Sequence, residues 1–122
     1  MGQSFFVLGQ TQAQLTIDSN KRLKKAEIEL TSIYNKILTI YSDDKEFIKN
    51  LKESQDLWSK FRVTELKVMF PDRKLGYYGS VQQMCINDYL AELTNDRIKR
   101  LQTWLMGTVQ GDVCSGSIKM KD

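Results

Sequence analysis

Histidine does not occur anywhere in this sequence of 122 residues. Its absence removes Ser-His and Cys-His nucleophile pairs and the commonest metal ligand, leaving two cysteines and scattered carboxylates for any metal. No GxGxxG run follows a strand and no GxxxxGKS/T run is present, so nothing is set up to cradle a phosphate. The expectation is a protein that is not an enzyme, with no cofactor and no metal. Two acids such as Glu65 and Glu92 do general acid–base work only in a cleft that separates their pKa values, and nothing in the sequence indicates one.

Proline is nearly absent too, with Pro71 the single example. A strand-rich sandwich needs turn signals every 8 to 12 residues or so, and they are missing here. No apolar run is long enough to span a membrane: Phe5-Phe6-Val7-Leu8 is too short and has no basic stretch ahead of it, so it is not a complete signal peptide. It is compatible with the clipped end of an export signal. The net charge is +3, and the excess is diffuse, with six Lys/Arg against six Asp/Glu between residues 43 and 70. The one basic cluster, Lys21, Arg22, Lys24 and Lys25, has no interleaved aromatic platform, so a solvated helix face is expected rather than nucleic-acid binding.

What is present is helical periodicity. Between residues 11 and 41, Leu23, Ala26, Leu30, Ile33, Tyr34, Ile37 and Leu38 recur at spacings of three and four, which predicts a long amphipathic helix. Ser42-Asp43-Asp44 then supplies capping side chains for a second helix, which carries Phe47, Leu51, Trp58, Phe61 and Leu66 and ends at Pro71. Ser80 is the expected N-cap of a third helix bearing Met84, Cys85, Leu90, Leu93, Ile98, Leu101, Trp104 and Leu105, with Gly107 as its stop. The short first link demands antiparallel neighbours. The fold expected is all-α, a three-helix antiparallel (up-down-up) bundle over residues 11–106 with an irregular C-terminal tail, residues 107–122.

Two places on this frame mix polar and aromatic residues. Gln55, Trp58 and Arg62 share one helix face, and Thr94 and Arg97 are placed to meet them. In a structural reading Trp58 fills the core, Gln55 and Thr94 satisfy polar groups, and the arginines pair with Glu65, Glu92 or Asp88. In a binding reading Arg62 or Arg97 clamps a carboxylate or sugar against Trp58. The second place is the loop Asp72-Arg73-Lys74-Leu75-Gly76-Tyr77-Tyr78-Gly79. Its tyrosines either form an exposed partner-binding tip with Arg73 and Lys74 or fold back onto the helix ends.

Four ordered elements carry a family resemblance: Ala26-x-x-x-Leu30-x-x-x-Tyr34; Leu51-x-x-x-Gln55-x-x-Trp58-x-x-Phe61-Arg62; Gly79-Ser80; and Leu90-Ala91-Glu92-Leu93-Thr94-x-x-Arg97-x-x-x-Leu101. Together they resemble the LprI-type family of small secreted bacterial proteins, named for a lysozyme inhibitor, over about residues 11 to 105. The family pattern has cysteines where this chain has Asp18, Leu66 and Tyr89, so its usual bridges are absent. For an exported relative the resemblance implies pairing of the two cysteines that remain, Cys85 and Cys114, pinning the tail along the third helix; two free thiols are the alternative.

The resemblance implies a non-enzymatic periplasmic or secreted protein whose partner is a protein, a lysozyme in the named case. A basic, tyrosine-bearing loop from Arg73 to Tyr78 suits a glycosidase cleft that holds two carboxylates. The net positive charge opposes this for strongly basic lysozymes. The other reading is a cell-envelope interaction or accessory module with a different protein or cell-wall partner.

Overall fold

In the computed structural model, which describes residues 11–121, the chain forms three helices: α1 (Gln12–Ile40), α2 (Lys45–Met69) and α3 (Gln82–Met106). The run from Phe5 to Leu8 lies outside the described residues. The helix ends follow side-chain chemistry with one exception. Thr11 Oγ1 accepts the Gln14 N–H at 3.1 Å and Asp44 Oδ1 accepts the Phe47 N–H at 3.1 Å, each satisfying an otherwise orphaned donor. Pro71 forces Phe70 out of the helical region and α2 ends at Met69. Ser80 does not cap α3. Val81 occupies the cap position with no side-chain bond, and the Gln82 N–H turns back to the Gly79 carbonyl at 3.3 Å. The serine stands one residue too early.

The seam of the bundle is written in steps of four and three. Ser19, Leu23, Ala26, Leu30, Ile33 and Ile37 are the buried residues of α1, and Asn87, Ala91, Thr94, Ile98 and Leu101 those of α3. That alternation keeps one stripe facing its neighbour along the whole helix. α1 and α3 run parallel, because their contacts climb together from Gln12 with Met84, through Arg22 with Asp88, to Tyr41 with Trp104. α2 returns antiparallel, Phe47 near Trp104 and Arg62 at Thr94. The up-down-up order is the expected one. Small side chains at Ser19, Ala26, Ala91 and Thr94 let α3 approach α1 more closely than α2 does.

α2 is held at arm's length, with only Leu51 fully buried along it. Trp58, Phe47 and Ile48 are half-buried and pack against the core cluster of Leu30, Ile33, Ile37, Tyr41, Leu51, Ile98 and Leu101. Phe61, expected on the same stripe, is 51 % exposed. At about 100° per residue, Trp58 lies about 20° around the helix from Leu51 but Phe61 about 80° away, so the indole reaches the core and the phenyl ring does not.

The expected Cys85–Cys114 bridge is absent: both cysteines are free, Cys85 half-buried and Cys114 exposed. The path of the tail keeps them apart. Cys85 lies in the first turn of α3, about 30 Å along the axis from its last turn, so the eight residues from Gly107 to Cys114 would have to run almost fully extended back along the helix to bring the two Cα atoms within about 7 Å. The tail instead folds over the end where α1 meets α2. Thr108 N–H bonds Lys119 O at 3.0 Å, Lys121 N–H bonds Thr108 O at 2.7 Å, and Trp104 Nε1 donates to Ser117 Oγ at 3.0 Å. The phenol of Tyr41, 1 % exposed, donates to Trp104 O at 2.8 Å and accepts the Lys119 N–H at 2.9 Å. Gly107 makes this closure possible: its φ is +79°, and a Cβ there would stand 3.2 Å from Lys119 O.

Two outcomes are expected. The native chain keeps its mass under reductant, and both thiols alkylate in denaturant without prior reduction; a two-proton deficit would contradict the free-thiol state. Tyr41→Phe leaves the Lys119 N–H without its acceptor and removes the bond to Trp104 O, costing about 1 to 3 kcal/mol in thermal unfolding and exposing residues 108–121 to proteolysis.

Candidate functional site

The polar face of α2 meets α3 at mid-bundle, as its helical spacing requires. Arg62 Nη1 donates to Thr94 Oγ1 at 3.0 Å and pairs with Glu27 Oε2 at 3.0 Å, and its guanidinium lies 5.4 Å from the Trp58 ring centroid. Thr94 is 0 % exposed, and its hydroxyl is used twice, donating to Leu90 O at 2.7 Å while accepting from Arg62. One long side chain from α2 thus ties both partners of the close pair, since Glu27 is on α1 and Thr94 on α3. The carboxylate partner differs from expectation: Glu27 takes Arg62, while Asp88 pairs with Arg22 at 2.9 Å. The signal that marks Glu27 is its place seven residues before Tyr34, both half-buried on one face of α1. Tyr34 packs against the core cluster, and burial raises its phenol above the ordinary tyrosine range. Tyr89 is raised as well, first by desolvation and then by Glu65 and Glu92 nearby.

Arg97 is built differently. Nε donates to Gln55 Oε1 at 2.9 Å and Nη2 to Ser54 Oγ at 3.0 Å, and among the described residues no carboxylate pairs with it. Burial, followed by the like charge of Arg100, lowers its pKa below the usual arginine value. It stands at one end of a groove of about 460 Å³ between α2 and α3, floored by Leu51, Leu101, Phe47 and Trp104. Asp44, Glu46 and Ser117 close the other end. The aromatic pair lining this groove is Trp104 with Phe47, ring centroids 6.1 Å apart, rather than Trp58. Sequence reasoning put Trp104 in the core and Phe47 on a buried stripe; both are half-buried because the tail covers the bundle end only in part.

The loop at residues 71–81 separates its two tyrosines. Tyr78 folds back, its hydroxyl donating to Pro71 O and its ring set edge-on to Phe70 at 5.4 Å. Tyr77 points out at 67 % exposure, stacked edge-on against Tyr78 at 4.9 Å, with the Arg73 guanidinium 5.9 Å from its ring. Leu75 is entirely exposed and Lys74 is exposed beside it. The tip therefore presents Arg73, Lys74, Leu75 and Tyr77 on a base fastened by Tyr78. Leu75 carries no polar signal and was not among the residues predicted from the sequence.

No described group of Cys, Asp and Glu side chains is arranged to hold a metal ion, and no described helix is long and apolar enough to cross a membrane. The family model described as lysozyme inhibitor LprI matches residues 8–101, spanning α1, α2 and α3 as far as Leu101 and stopping before the tail. No curated protein and no solved structure matches the chain.

The mid-bundle network has a measurable signature. Thr94→Val keeps the shape but removes the acceptor facing Arg62, and is expected to cost about 1 to 2 kcal/mol in urea unfolding. Arg62→Ala is expected to cost about 2 to 3 kcal/mol, and the double variant less than the sum, because both single changes break one shared bond. Strict additivity would show that the two side chains do not interact.

Proposed function

The chain belongs to the lysozyme inhibitor LprI family, and from that premise we propose that it is a secreted or periplasmic binding protein that acts by contact. Its partner is a lysozyme and its contact surface is the loop at residues 71–81. The observation that carries this reading is the tip itself. Leu75 and Tyr77 are 105 % and 67 % exposed, yet the loop base is tied by the Tyr78 hydroxyl to Pro71. A large apolar side chain and an aromatic held out by a fastened base make contact with little ordering cost on binding. Arg73 and Lys74 flank them with positive charge, the sign that suits a glycosidase cleft holding two carboxylates. The rest of the chain supports the reading by supplying a stable frame for the loop.

The second reading is a cell-envelope accessory module that binds another protein or a cell-wall component. The net charge of +3 favours it, since a strongly basic lysozyme is repelled at long range.

A lysozyme turbidity assay at low and moderate salt separates the two. Inhibition by the native chain is expected at both, with faster onset at moderate salt where like charges are screened. The double variant Leu75→Asp, Tyr77→Ala is expected to weaken inhibition by about 30-fold or more with an unchanged melting temperature, because both side chains are exposed in the free protein. A rate left unchanged at both salts by a molar excess of native chain rejects the lysozyme partner. Full inhibition by the double variant moves the interface away from the loop.

A further inference from the structure

We propose that the groove between α2 and α3 is a binding site for a short apolar peptide with free termini, its carboxylate held by Arg97. This site lies apart from the loop and does not depend on the loop's partner. A guanidinium has five N–H donors; Gln55 and Ser54 use two of Arg97's, through Nε and one hydrogen of Nη2. Nη1 and the second hydrogen of Nη2 remain, and in a planar guanidinium these adjacent groups are the pair that can receive a carboxylate end-on. The two bonds already made fix the plane of the guanidinium, so little freedom is lost when an anion docks. Arg62 is the contrast, because Glu27 already fills its place for an anion.

The length and the far end of the groove define the rest of the ligand. Arg97 and Trp104 are about 10 Å apart along α3, the span of roughly three extended residues. The floor between them is Leu101, Leu51, Phe47 and Trp104, an apolar surface that accepts apolar side chains. Beyond it stand Asp44 and Glu46. Asp44 spends one oxygen on the Phe47 N–H, and the Glu46 carboxylate makes no ion pair or side-chain hydrogen bond among the described residues. A plain apolar carboxylate leaves that acidic end unanswered, and a dianion is repelled by it. A peptide of about three residues places its ammonium there while its carboxylate reaches Arg97.

The test uses the full-length native chain and the tripeptide Val-Leu-Phe, followed by the indole N–H resonance of Trp104, which lines the groove. Saturable shifts are expected. Amidating the peptide's carboxyl end should weaken binding about 10-fold or more, and acetylating its amino end about 3-fold, the smaller effect reflecting the exposed acids at that end. Arg97→Gln should weaken the free acid to the level of the amide and abolish discrimination between them, with unchanged helicity. Equal binding of acid and amide by the native chain overturns the assignment of Arg97 without any variant. Hexanoate binding as tightly as the tripeptide overturns the peptide class, and the absence of any saturable shift overturns the site.

Discussion

The close parallel approach of α1 and α3 is the constraint on which the remaining structure depends. Parallel neighbours cannot be joined by a short turn, so α2 has to travel the full length back between them. The approach requires small side chains at the crossing positions, and Ser19, Ala26, Ala91 and Thr94 supply them. Two of these are polar and are made safe locally. Ser19 donates to Thr16 O at 2.7 Å and accepts from Asn87 Nδ2 at 3.1 Å, while Asn87 Oδ1 accepts a hydrogen bond from Gln83 Nε2 at 2.9 Å. A buried polar pair of this kind is costly in any other register, where its members lose their partners, so it fixes how α1 and α3 slide against each other.

From that pair the rest of α2's chemistry follows. With the intimate contact taken, α2 lies over the pair and has to reach it with long side chains. Leu51 and Trp58 supply apolar reach, and Arg62 and Arg97 supply polar reach from opposite sides of the interface. The two arginines end in different states because of what lies opposite them. Arg62 meets a carboxylate from α1; Arg97, one turn beyond Thr94 along α3, meets only the amide and hydroxyl of Gln55 and Ser54. The same loose packing leaves Leu57, Phe61 and Val68 exposed along the outer side of α2.

How far the sequence reveals this depends on whether a feature is local. Asp44, Pro71 and Gly107 mark helix ends because each acts through its own backbone or the next turn, and all three end or start helices as the sequence reading expects. Leu23, Ala26, Leu30, Ile33 and Ile37 reveal the α1 seam for the same reason. On α3 the leucines drew attention to Leu90 and Leu93, whereas the seam runs through Asn87, Ala91 and Thr94, whose small size matters only once a second helix is known to lie close. The meeting of Gln55, Arg62, Thr94 and Arg97 was legible as a shared height along antiparallel helices. Which carboxylate joins them was not, since Glu27 comes from the third helix in the contact. The cysteines misled because their pairing was a matter of family likeness, while the tail's path is decided by Gly107 and the Tyr41 hydroxyl.

The fold also separates two questions that net charge alone confuses. The loop sits where α3 begins and the groove lies from Arg97 onward, about 22 Å further along that helix, so occupancy of one end leaves the other uncovered. At physiological salt, charges more than about 8 Å apart are largely screened. A partner seated on the loop therefore responds to Arg73, Lys74 and the ring of Tyr77 more than to the diffuse excess spread along the helices. The positive total acts chiefly on the rate at which a basic partner arrives, most strongly at low salt. In the proposed loop interface the few exposed groups at the tip would decide what is held once it arrives, and a chain of this charge is then compatible with a basic partner whose cleft is acidic.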